Sequence, residues 1–340
     1  MKKGKPSVAT ADSGPRPPPP PSAEPELSLV VPFYNEGEGV DAFFEETLPV
    51  LRKEGLAFEI ICVNDGSRDL TLARLLEQRK KEPRIRILHF TRNFGKEIAL
   101  TAGLDHTRGR AVIPMDSDLQ DPPALIPHLL AKWRDGHKIV NARRADRMSD
   151  SWMKRTTASA FYHIFNKISD TPIPEQTGDF RLLDASVVAD LRRLPERDRF
   201  MKGLFAWIGH PSAEITYERP LRTKGRTSWN YWKLWNFALG GIISFSRFPL
   251  RIWNYLGLSI AVMSFLYASF LVVRTLLFGR DVPGYASIMV VMLFLGGIQL
   301  IGIGILGEYL GRVFIESKQR PLYLVQRRYG FPDEEESGDG

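Results

Sequence analysis

Ala111-Val-Ile-Pro-Met115-Asp-Ser-Asp118-Leu-Gln-Asp-Pro-Pro123 joins an apolar stretch to two carboxylates at i and i+2. The apolar part reads as a buried strand, and the chain turns polar where that strand ends. Asp116 and Asp118 can therefore converge on one hard cation. Such a pair seldom binds a divalent ion alone and needs phosphate oxygens from a ligand to complete the octahedron. By itself the same pattern also fits an ordinary surface loop, so its setting has to decide.

Upstream, short apolar strands alternate with amphipathic helices. Leu27–Pro32 is followed by Val40, Phe43, Phe44, Thr47, Leu48 and Leu51, a helical face that Pro49 is expected to kink or end. Strands are expected at Glu59–Asn64, Arg84–Phe90 and Ala111–Met115, with helices near Leu70–Lys80 and Lys96–His106 between them. This order implies an α/β fold with a mostly parallel sheet, in which ligands bind beyond the carboxyl ends of the strands. Four polar motifs fall at those ends: Pro32-Phe-Tyr-Asn-Glu36, Asn64-Asp-Gly-Ser67, Thr91-Arg-Asn-Phe-Gly-Lys96 and Asp116-Ser-Asp118. Glu36 and Asp65 can accept hydrogen bonds from a ribose or base, and Gly66 would let the backbone approach that ligand. Asp65-Gly-Ser67 equally suits an Asx turn or a helix N-cap. Arg92 and Lys96 could neutralise a diphosphate or line a solvated loop.

Downstream the chain changes character. Ile252–Val273 and Val282–Gly307 carry no charged residue, and each exceeds the roughly 20 residues that cross a bilayer core as a helix. They predict a hairpin of two spans, about 252–278 and 285–307, or alternatively a buried helical pair in a soluble core. Arg219, Arg222, Lys224, Arg226, Lys233, Arg247 and Arg251 precede the first span, and Arg312, Lys318, Arg320, Arg327 and Arg328 follow the second. The turn between is neutral, so the positive-inside rule places both termini, and the α/β part with them, on the cytoplasmic side of a multi-pass inner-membrane protein. Residues 229–251, with Trp229, Tyr231, Trp232 and Trp235, read as amphipathic helices at the head-group level or as an aromatic helix packed on the globular part. The net charge of +7 then suits anionic lipids and phosphorylated substrates, with no nucleic-acid partner indicated. Cys62, the single cysteine, excludes an internal disulfide. Residues 1–25, with five consecutive prolines, predict a disordered arm that lacks the apolar core of a signal peptide. Residues 26–228 would form the α/β domain that carries the polar motifs, and 311–340 a cytoplasmic tail ending in solvated acids.

Taken together, Val31-Pro-Phe-Tyr-Asn-Glu36, Val63-Asn-Asp-Gly-Ser67, Arg92-Asn-Phe-Gly-Lys96, Asp116-Ser-Asp-Leu-Gln-Asp-Pro-Pro123 and Thr177-Gly-Asp-Phe-Arg181 resemble family 2 glycosyltransferases. Within that family the chain most resembles the polyprenyl-phosphate subgroup, and Trp229–Ala238 is most similar to bactoprenol glucosyltransferases. The resemblance implies a GT-A fold and inverting transfer of a sugar from a nucleotide diphosphate to a lipid phosphate. It assigns Pro32, Tyr34, Glu36, Asp65, Lys96, Asp116, Gln120 and Arg226 to the nucleotide sugar, and Asp116 and Asp118 to Mg²⁺ or Mn²⁺. Asp179 and Asp118 would be catalytic, and Arg143, Arg155 and Ser159 would meet the acceptor phosphate. One departure stands out: the family pattern carries Lys where this chain has Ser228, so Lys224 or Arg226 would have to supply that charge.

The implied chemistry needs little from a base. A phosphate monoester has a second pKa of about 6 and is largely dianionic at neutral pH, so Asp179 is expected to orient hydroxyls more than to remove a proton. The expected donor is UDP-glucose, with galactose, N-acetylhexosamine, amino-arabinose or GDP-mannose as alternatives. Gly307-x-x-x-Gly311 is consistent with homo-oligomerisation, and a flippase in the same pathway is an implied partner. Two other readings compete: a non-catalytic nucleotide-sugar-binding partner of a lipid flippase, and a processive polysaccharide synthase.

Overall fold

The computed structural model describes residues 24–144, 177–197, 199–217, 248–278 and 284–331. In chain order the first half comprises β1 (Leu27–Phe33), α1 (Val40–Lys53), β2 (Phe58–Asn64), α2 (Thr71–Lys81), β3 (Ile85–Phe90), α3 (Lys96–Asp105) and β4 (Ala111–Pro114). Then follow α4 (Ile126–Arg134), β5 (Ile139–Arg144), β6 (Thr177–Asp184), α5 (Ala185–Arg192), α6 (Met201–Trp207) and β7 (Ser212–Tyr217). The chain closes with α7 (Phe248–Phe278), α8 (Tyr285–Ser317) and β8 (Val325–Tyr329).

One eight-stranded sheet runs in the order β7-β5-β6-β4-β1-β2-β3-β8. β1 is parallel to β2 and β4, and β2 to β3, giving the parallel centre that the βα alternation predicts. Strand parity sorts side chains onto two faces. Phe58, Ile60 and Cys62 of β2 join one core with Phe43, Phe44 and Leu51 of α1, Leu75 of α2 and Leu129 of α4. Ile61 and Val63 of the same strand face Ala99 and Ala102 of α3, and Val30 and Val112 face α5 and α6. Every residue of β2 is buried, as a strand covered on both sides requires. Each such aliphatic or aromatic side chain contributes about 1.5–3 kcal/mol of burial free energy. Cys62 lies in this core as a free thiol, and burial pushes its pKa up.

One expectation is met, and three elements differ. α1 ends at Lys53, four residues past Pro49, in line with an end near the proline, and Phe43, Phe44, Leu48 and Leu51 anchor the helix on both sides of the missing N–H. The region after the second span was expected to be a tail, yet it supplies β8, which pairs antiparallel with β3 (Ile87↔Tyr329, Leu88↔Arg328). α8 also extends to Ser317, ten residues past the predicted span, because a formed helix propagates cheaply through Glu308, Arg312 and Glu316. α7 begins at Phe248, so the last residues of the expected 229–251 segment already belong to it. The rest of that segment, and the expected helix over 151–168, lie outside the described residues.

The two long helices are apolar and outward-facing. Tyr255–Phe278 and Ser287–Ser317 are each long and apolar enough to cross a membrane, and almost none of either is buried against the rest of the protein. Leu276, Phe278 and Leu300 are 80%, 83% and 71% exposed. That exposure opposes the alternative of a buried helical pair. Trp253 of α7 packs where a Cβ on Gly302 of α8 would sit, so the glycine admits the indole between the two helices.

Candidate active site

The carboxyl ends of β1 and β2 are tied together by side chains. Asn35 adopts φ 53°, a left-handed geometry that Asn tolerates better than most residues. Its backbone N–H donates to Ser67 Oγ at 3.0 Å, and its Oδ1 accepts from the Arg68 N–H at 2.9 Å. Thr71 Oγ1 accepts from Glu36 N at 3.0 Å, and Asp69 Oδ2 accepts from Gly37 N at 2.9 Å. Asp69 in turn receives the Thr71 N–H and hydroxyl, an Asx-type turn that opens α2. Asp69-Leu-Thr71 is the local sequence signal of that turn. Tyr34 stands 48% exposed above this loop.

Asp65, expected to contact the nucleotide, also holds a neighbouring loop. Its Oδ1 accepts from Phe94 N at 2.7 Å, and its Oδ2 from Gly95 N and Asn93 Nδ2, both at 2.9 Å. Three of the roughly four acceptor sites of a carboxylate are thus spent on the β3–α3 loop. Burial pushes the Asp65 pKa up, against the opposing pull of those N–H groups and Arg92. Gly66 serves the same contact. At φ 64° a Cβ would lie 2.5 Å from Asn93 N and would also strike Arg92, so the glycine admits the chain's own β3–α3 loop. The role of Asn93 within the Thr91–Lys96 motif has no local sequence mark, because its partner is 28 residues away.

The clamped loop delivers Lys96 to the first residue of α3, where its Nζ lies 2.7 and 2.8 Å from the two carboxylate oxygens of Asp116. Ser117, between the paired aspartates, faces the neighbouring β1 and donates its one hydroxyl hydrogen to Glu36 Oε2, with the Pro32 carbonyl 3.3 Å from the same hydroxyl oxygen. Burial pushes the Glu36 pKa up; Ser117 opposes that shift, while the charges of Asp118 and Asp116 add to it. Asp118 Oδ1 accepts from Gln120 N at 3.1 Å, closing a turn through Leu119 at φ 55°. Beyond the turn, Asp121 accepts from the Tyr217 hydroxyl, pinning the loop to the end of β7. Asn35 and Leu119, two of the three non-glycine residues with positive φ among the described residues, both lie in these loops. Backbone strain gathers where function is expected.

No group of three or more His, Cys, Asp or Glu side chains is placed to hold a metal among the described residues. Asp116 and Asp118 offer oxygen donors from two residues, which suits a hard cation completed by diphosphate oxygens and water. The residues present therefore fit Mg²⁺ or Mn²⁺ bound together with a nucleotide.

β6 runs antiparallel to β4, with Ala111 opposite Asp184 and Val112 opposite Leu183. Its first residues, including Asp179, therefore lie at the edge where β4 ends and Asp116 begins. Arg143 on β5 is level with Thr177 of β6 and donates to Glu214 of β7 at 3.3 Å. The fold thus brings Pro32, Tyr34, Glu36, Asp65, Lys96, Asp116, Asp118, Gln120, Arg143 and the backbone of Asp179 to one edge. Arg155, Ser159 and Arg226 lie outside the described residues.

Residues 28–192 match glycosyl transferase family 2, and residues 248–313 match the GtrB C-terminal hairpin. An uncharacterized glycosyltransferase of Synechocystis is 53% identical over 305 residues, spanning 90% of this chain and 96% of that protein. The bactoprenol glucosyl transferase of Shigella phage SfV is 50% identical over 301 residues, spanning 88% and 98%. A prophage bactoprenol glucosyl transferase homolog of Escherichia coli is 49% identical over 302 residues, spanning 89% and 99%.

Proposed function

The chain belongs to glycosyltransferase family 2, and we propose that it transfers one glucose from UDP-glucose to a polyprenyl phosphate at the cytoplasmic membrane face, with inversion. The observation that carries this reading is the near full-length similarity to bactoprenol glucosyl transferases, including the two apolar helices. An isoprenoid phosphate cannot leave the head-group plane, so an enzyme acting on it must be held there. The two exposed apolar helices suit that anchoring.

In the proposed GT-A site, Tyr34, Glu36 and Pro32 border the nucleoside, Lys96 and Gln120 the diphosphate, and Arg226 adds a donor cation. Asp65 contributes by holding the loop that carries Lys96. Bound by Asp116 and Asp118, Mg²⁺ or Mn²⁺ would neutralise charge on the departing diphosphate. The dianionic acceptor phosphate is already a nucleophile, so Asp179 orients the acceptor or sugar hydroxyls. Arg143, Arg155 and Ser159 offset repulsion between two approaching anions.

The test is transfer followed by mass spectrometry, with full-length protein, polyprenyl phosphate, metal and separate UDP- and GDP-sugars. A single glucosyl-phosphate lipid that requires metal and is lost in Asp118→Asn is the expected result. A different sugar on the lipid would overturn the donor assignment. Polymer, or no product from any donor despite nucleotide-sugar binding, would overturn the reaction.

A further inference from the structure

Lys96 sits with its ammonium on both oxygens of Asp116, at 2.7 and 2.8 Å. An ammonium and a hard divalent cation seek the same carboxylate lone pairs, so metal entry at Asp116 requires Lys96 to move aside. The geometry permits that movement. The loop before Lys96 is held on Asp65 by two backbone N–H groups and the Asn93 side-chain amide, while the Lys96 side chain is 45% exposed on a flexible four-carbon stem. A displaced ammonium at the start of α3 then needs an anion, and a nucleotide diphosphate bound to the same metal provides one.

We infer that Lys96 is a built-in counter-ion that occupies the metal-binding carboxylate of the empty enzyme and transfers to the donor diphosphate when metal and nucleotide enter together. The inference rests on Asp116 being a metal ligand, as proposed above. Lys96 thereby couples the two ligands: it weakens metal binding when nucleotide is absent and strengthens nucleotide binding when metal is present. By linkage, each ligand raises the affinity of the other by the same factor. The empty enzyme avoids holding a bare metal beside its acidic cluster, and the site assembles only around a donor.

The experiment is a Mn²⁺ titration of the full-length protein in detergent, followed by the loss of the free-ion electron paramagnetic resonance signal, with and without UDP. Wild type is compared with Lys96→Met, Lys96→Arg and Asp116→Asn. Without UDP, Lys96→Met should bind Mn²⁺ about three- to tenfold more tightly than wild type, the scale of a half-exposed charge pair. Lys96→Arg, which restores the counter-ion, should behave as wild type. UDP should tighten Mn²⁺ binding in wild type by a larger factor than in Lys96→Met. Unchanged or weaker Mn²⁺ binding in Lys96→Met, with binding lost in Asp116→Asn, overturns the counter-ion while leaving the metal site intact. Mn²⁺ binding that survives Asp116→Asn overturns the metal site and the counter-ion with it.

Discussion

At the end of β2, the Asp65 carboxylate gathers the N–H groups of Phe94 and Gly95 and the amide of Asn93. An Asn at this position keeps one acceptor and turns an NH₂ group toward N–H donors. Each lost charge-assisted bond costs about 1.5–3 kcal/mol. Asp65→Asn should therefore lower the thermal midpoint by several degrees and raise the donor KM about tenfold, with a smaller change in kcat. Thermal unfolding and donor kinetics together check this; a normal donor KM in a destabilised protein would separate Asp65 from the loop that carries Lys96. Asn64-Asp-Gly-Ser67 was legible as a functional turn. Its actual partners were not, because a clamp spanning 28 to 30 residues leaves no periodic or local mark.

Among the elements, α1, α2 and β3 meet at Glu82, which binds Arg52 of α1 at 2.8 Å and Arg84 at 2.7 Å. Burial pushes the Glu82 carboxyl up, but the Arg84 and Arg52 guanidiniums outweigh it and hold its pKa at about 2, below the ordinary 4.5. A depressed acid pKa stabilises the fold above the unfolded value, and that stability is lost as pH falls through the folded value. The contribution is on the order of 3 kcal/mol at neutral pH. Glu82→Gln should be less stable by about that amount at pH 7, with the gap to wild type closing between pH 4.5 and 2. Unfolding midpoints across that range measure it, and a constant gap would refute the linkage. β8 teaches a different lesson. Gln326, Arg327 and Arg328 are exposed, so Val325–Tyr329 has no buried alternation to announce a strand. It forms because β3 offers an open edge, because Thr91 N donates to the Leu324 carbonyl at 3.1 Å, and because Tyr323 stacks on Phe90 at 5.3 Å.

On the scale of the whole molecule, β8 makes the catalytic sheet depend on chain that follows both apolar helices. Glu316 at the end of α8 accepts from Arg197 N at 2.7 Å, and the Tyr323 hydroxyl donates to Asp105 at 2.9 Å. The helices and the sheet are thus joined at the same place where the last strand docks. A chain ended at Arg247 would lose β8, open the β3 edge and uncover Phe90. It should aggregate, whereas the same chain with residues 319–331 restored through a flexible linker should stay monodisperse. Size-exclusion chromatography distinguishes them, and a monodisperse truncated chain would show that β8 is dispensable.

Periodicity and local composition by themselves determined the α/β alternation, the four polar motifs at one sheet edge and the two apolar helices, since each of these signals lies within a few turns of chain. The tertiary structure alone decided which charges meet: Lys96 on Asp116, the β3–α3 loop on Asp65, Ser117 on Glu36, and β8 on β3. Those pairings join residues 20 to more than 200 positions apart, and their free energy exists only once the sheet has brought the strand ends together.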